Sequence, residues 1–126
     1  MEAIKISKYG EAIGIWDLKV GGANLQLKPK KGDNYKLSTL LNESKKRNDE
    51  SWLMSQFAIF IKELINRDVP PLNDAEKNEL EEYVEFNLLE LMKETLVKFR
   101  WSTREDMKKL EDQGADALKK SLLQYR

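Results

Sequence analysis

Residues 51–68 read SWLMSQFAIFIKELINRD, and where this segment lies decides the fold. Leu53, Phe57, Phe60, Ile61 and Leu64 recur at three- and four-residue steps, the spacing that gathers side chains on one face of an α-helix. Trp52, Met54, Ile59 and Ile65 widen that face beyond half the circumference. A helix so apolar either forms the centre of a helical domain or lies against a partner chain. VPPL at 69–72 stops it, because proline lacks the amide hydrogen that a helix needs and its ring clashes with the preceding turn.

Upstream the pattern changes. Ile4 and Ile6 alternate, as do Trp16, Leu18 and Val20, then Leu25 and Leu27, with Gly21 and Gly22 between the last two runs. Alternation with period two and a glycine pair between runs predicts a hairpin. Ile13 and Ile15 have the opposite parity to Trp16 and Leu18, which predicts a bulge or strand break near Ile15. From Asp33, placed to cap a helix, Leu37, Leu40 and Leu41 mark a short helix ending in the polar stretch SKKRNDES, residues 44–51.

Downstream, Asn73 and Glu76 have capping-box spacing, and a helix is expected over about 74–99. Its acidic first turns suit the positive N-terminal dipole, and its C-terminal half is apolar nearly all round. Ser102 and Glu105 repeat the capping spacing before a last helix carrying Met107, Leu110, Leu118 and Leu122, with Gly114 as a potential break. The segment KFRWSTREDM, 98–107, reads as the joint between these two helices: Phe99 closes one, Trp101 anchors the turn, and Arg100 and Arg104 reach carbonyls or the acidic stretch. The expected architecture is mainly α, a helical domain of about four helices with a small N-terminal β-hairpin element. It forms a single domain over 1–126, β-rich over 1–30 and helical over 33–126.

Composition narrows the function. The 126 residues hold 22 basic and 22 acidic side chains, so no net field draws the protein to nucleic acid or anionic lipid. Charge is nonetheless segregated: ten Lys/Arg against five Asp/Glu over 1–48, five against twelve over 49–99, and seven against five over 100–126. Such segregation suits complementary packing within the fold or between copies in a homo-oligomer. With neither Cys nor His, the chain lacks a thiolate nucleophile, the usual general base and the commonest metal ligands, and no cofactor is expected. The glutamates Glu76, Glu79, Glu81, Glu82 and Glu85 fit a solvated helix start better than a metal site. No run approaches a membrane span and the N-terminus lacks the apolar core of a signal peptide, so an untargeted cytoplasmic protein is expected.

Two sets of residues are candidates for binding. Trp52, Phe57, Phe60, Ile61, Leu118 and Leu122 are candidates for contact with another protein, because broad apolar helix faces suit partner recognition. Lys28, Lys30, Lys31, Lys45, Lys46 and Arg47 form a candidate basic patch, the basis of an alternative reading as a small nucleic-acid-binding or regulatory protein. Tyr35, Trp101 and Tyr125 would be its base-stacking aromatics.

The order LKPKKGDNYKL, then a Phe-rich helix ending INRDVPPLNDAEKNELEEYVEFNLLELMKE, then LVKFRWSTREDM, resembles the tail assembly chaperones of tailed phages and related archaeal viruses or proviruses. The likeness covers roughly residues 25 to 110 and is strongest at PPL, YVEFN and FRWSTRED. It implies a non-enzymatic, largely helical protein, made in the host cell cytoplasm during virion assembly. Such a protein would bind the tape-measure protein, keep its apolar helices soluble and help recruit tail-tube subunits. The resemblance supplies no catalytic or binding residues to carry over.

Overall fold

A computed structural model describes residues 15–20, 23–69, 72–114 and 116–124. Two strands and six helices follow in order: β1 (Trp16–Val20), β2 (Ala23–Leu27), α1 (Lys31–Arg47), α2 (Glu50–Asp68), α3 (Asp74–Phe86), α4 (Leu88–Lys98), α5 (Arg104–Asp112) and α6 (Ala117–Gln124). The strands pair antiparallel, with Trp16 opposite Leu27 and Leu18 opposite Leu25. Residues directly opposite share a face, so the alternating Trp16, Leu18, Leu25 and Leu27 form one apolar surface. Ile15 lies outside the strand and is exposed. The alternation at Ile4 and Ile6 and the parity change at Ile13 fall outside the described residues.

Helix α2 is the hub. It contacts β2, α1, α3, α4 and α6, which together surround the stripe formed by Leu53, Phe57, Phe60, Ile61 and Leu64. The choice between a central helix and one waiting for a partner is thus resolved toward the centre. Phe57 and Phe60 meet edge to face with ring centroids 6.1 Å apart, and Phe60 meets Phe99 at 6.0 Å, which ties α2 to the end of α4. Helix α1 packs against α2 and α6, and its buried residues Asn34, Leu37, Leu41 and Ser44 are spaced at helical intervals. The weakly amphipathic α6 docks on α1, α2 and α5 through Leu118, Leu122 and Leu123.

Six helices replace the expected four because two long apolar patterns are interrupted. At Asn87 the backbone leaves helical geometry (φ −114°, ψ 23°), and the side-chain amide donates to the Tyr83 carbonyl at 3.0 Å while the Asn87 amide uses the same oxygen. Asparagine's competition for backbone groups divides the 74–99 segment into α3 and α4. The second break follows Gln113, with Gly114 at φ +115°, a conformation that glycine adopts without steric cost.

Caps fix the other boundaries. Asn73 and Glu76 exchange side-chain-to-amide bonds at 2.8 and 3.2 Å, the expected capping box. Helix α5 starts one residue later than the Ser102 reading: Thr103 is its cap, and its hydroxyl accepts from the Asp106 amide at 3.1 Å. Helix α1 starts earlier than Asp33, whose carboxylate instead reaches back to accept from the Lys30 amide at 2.7 Å. Val69, at the end of α2, is extended (φ −96°, ψ 141°), the conformation imposed on a residue preceding proline.

Candidate functional site: a groove at the joint between α4 and α5

The KFRWSTREDM joint is built on a Schellman-type helix stop. The Trp101 amide donates to the Leu96 carbonyl at 2.8 Å and the Arg100 amide to the Val97 carbonyl at 3.1 Å. That pattern requires a left-handed residue between them, which here is Arg100 at φ +61°. Glycine is the usual occupant, since an L side chain in this region costs about 1–2 kcal/mol. Only one other non-glycine among the described residues has positive φ, Asn48 at the end of α1, and asparagine tolerates it. Phe99 and Trp101, on either side of Arg100, are buried and pull the turn inward. The arginine between them is left at the surface.

A groove of about 430 Å³ opens beside this joint, lined by Ile15, Trp16, Asp17, Glu94, Val97, Lys98, Arg100 and Arg104. Lys98, Arg100 and Arg104 form no side-chain hydrogen bond or ion pair with any described residue, although Asp17 and Glu94 line the same groove. A neighbouring depression of about 240 Å³ shares Glu94, Val97 and Arg104 and is lined also by Glu90, Lys93 and Glu111. There Lys93 is paired: its ammonium holds Glu90 at 2.5 Å and also Glu111, linking α4 to α5. Desolvation works against the Lys93 charge, but hydrogen bonds to Glu111 and Glu90 outweigh it and the pKa rises. The Lys93 hydrogen bond lowers that of Glu111.

A second charged cluster is structural. Arg67 donates to Asp33 at 2.6 Å, to both oxygens of Asp68 at 2.8 Å and to the Lys28 carbonyl at 3.0 Å. The Lys28 amide in turn donates to Asp68 at 2.7 Å. The arginine fork thus pins the link between β2 and α1 to the end of α2. Its hydrogen bonds hold Asp68 below the ordinary carboxylate range, and those carboxylates raise Arg67 itself.

The candidate binding residues lie elsewhere than expected. Phe57, Phe60, Ile61, Leu118 and Leu122 meet in the core, all at 5% exposure or less, so in this fold the apolar faces cover one another and not a partner. Trp52 is half-buried beneath the Arg47 guanidinium, 4.6 Å from the ring centre, a cation–π contact across the turn between α1 and α2. The basic residues do not form one patch. Lys28, Lys30 and Lys31 lie at the start of α1 and Lys45, Lys46 and Arg47 at its end, about 20 Å away along the helix, with Arg47 also paired to Glu43. Of the proposed stacking aromatics, Tyr35 is exposed, Trp101 is buried and Tyr125 falls outside the described residues.

Arg100 and Arg104, expected at carbonyls or acidic side chains, reach neither among the described residues; the signal in the sequence is an arginine where a helix stop calls for glycine. Phe86 is 86% exposed, since it lies on the face of α3 opposite the buried Leu80 and Val84. Among the described residues no three acidic, histidine or cysteine side chains gather in a metal-holding arrangement, and no helix is long and apolar enough to cross a membrane. Comparisons with protein-family models, curated proteins and solved structures give no match.

Proposed function

We propose that this chain is a non-enzymatic, protein-binding assembly factor, a tail assembly chaperone acting in the host cell cytoplasm, as its sequence resemblance implies. It would bind the tape-measure protein, shield apolar helix faces during assembly and help recruit tail-tube subunits. The observation that supports this reading is Phe86. It is a large aromatic at 86% exposure, placed within YVEFN, one of the segments that carry the resemblance. Exposed aromatics are costly to solubility and are enriched at protein–protein contacts. Its neighbour Glu85 is held by Lys62 of α2 at 2.7 Å, and Ile59, three residues before Lys62, is also exposed. Two apolar side chains are thereby presented from adjoining helices.

Co-expression with a tape-measure protein from the same genome tests the proposal. The expected result is a soluble complex that co-elutes on gel filtration and is weakened by Phe86→Ser. A tape-measure protein that stays insoluble, with no complex, overturns it.

A further inference from the structure

We propose that the groove bounded by Ile15, Trp16, Val97, Arg100 and Arg104 binds a single carboxylate carried beside an apolar side chain, as at the end of a polypeptide or on a small acyl amino acid. Three observations carry this. First, Arg100 and Arg104 flank a concavity of about 430 Å³, within the range of ligand sites, and neither guanidinium is paired to a described residue. A planar guanidinium presents parallel N–H donors that match the two oxygens of a carboxylate.

Second, the charges set the ligand's charge. Among the described residues that line it, Lys98, Arg100 and Arg104 supply three positive charges and Asp17 and Glu94 two negative ones, leaving one to be neutralised. A phosphate dianion would bring excess negative charge against Asp17 and Glu94, whereas one carboxylate closes the balance. Third, Ile15 is 51% exposed and Val97 is partly buried, giving the groove an apolar wall for a hydrophobic group next to the anion.

The left-handed backbone of Arg100 sharpens the case. Glycine there would serve the helix stop better, so the guanidinium stands at this position at a cost in stability, as expected where a side chain is needed for binding.

The test is a titration of the full-length ¹⁵N-labelled protein with N-acetyl-leucine, followed by amide shifts at Trp16, Val97 and Arg100. Saturable shifts are expected, absent with N-acetyl-leucinamide and weaker with inorganic phosphate. Arg100→Gly and Arg104→Ala should each weaken binding by about tenfold or more, the value of a charge-assisted hydrogen bond. Because Arg100→Gly relieves backbone strain, its thermal midpoint should rise while binding falls, so the loss cannot come from unfolding. Absence of saturation by about 10 mM ligand, weaker than millimolar affinity, overturns the proposal. So do equal binding of the amide, tighter binding of phosphate, or unchanged affinity in both variants.

Discussion

The indole Nε1–H of Trp101 donates to Oδ1 of Asn34 at 2.7 Å, inside the core and across 67 residues of chain. It is the polar tie between the joint after α4 and the first turn of α1. Both side chains are nearly fully buried, so neither can turn to water if the other is removed. Trp101→Phe should therefore destabilise the fold by about 1–3 kcal/mol, the cost of an orphaned buried acceptor, with some packing loss added. Urea unfolding of the two single variants and the double variant with Asn34→Ala measures the coupling. The double variant should lose less than the sum of the singles.

Acid stability should depend on the Arg67 cluster. Asp68 has its folded-state pKa lowered from the ordinary 3.8, chiefly by the hydrogen bonds from Arg67. A depressed carboxylate contributes stability that is fully present above its unfolded value and is lost as pH falls through the folded one. The loss therefore falls below about pH 4, with Arg67 charged throughout. Asp68→Asn should lower stability at neutral pH and flatten the fall in unfolding free energy below that pH. Denaturation curves at pH 7 and at about pH 3 check both effects.

At Arg100 the expected effect of glycine has the opposite sign. Relief of the left-handed conformation outweighs the extra flexibility of unfolded glycine, so Arg100→Gly should stabilise by about 0.5–1 kcal/mol. Asn48→Gly is the internal control, with the smaller change expected of a residue that already tolerates positive φ. Chemical denaturation of both proteins against the parent decides it, through the midpoint at unchanged slope.

Phe86→Ser should leave stability within about 0.5 kcal/mol of the parent, since the ring is almost wholly in solvent. Any partner complex should nevertheless weaken. A large loss of stability measured by thermal unfolding would show that the ring packs in the fold and remove it as a contact.

Much of the fold was legible because its signals are local. The step pattern of Leu53, Phe57, Ile61 and Leu64 determines a helix and its face, the alternation of Trp16, Leu18, Leu25 and Leu27 a hairpin, and Asn73 with Glu76 a start. The apolar period running through FNLLELM hid the break at Asn87, because periodicity averages over a window while one side-chain amide at the Tyr83 carbonyl acts at a single residue. The same limit explains Trp52: its cover by Arg47 depends on how the turn at Asn48 folds back, which spacing does not encode. The α4–α5 groove was the least legible feature. It takes Ile15 and Trp16 from one end of the chain and Arg100 and Arg104 from the other.

Because α6 packs on α1 and α2, the order of synthesis matters. A ribosome delivers the most apolar helix at 50–68 well before residues 117–123, which supply Leu118, Leu122 and Leu123 to the core. For the time needed to translate some fifty residues, several seconds, part of the α1–α2 surface waits without its final cover. The nascent chain itself is therefore exposed to off-pathway association during that interval, and the emergence of α6 ends it.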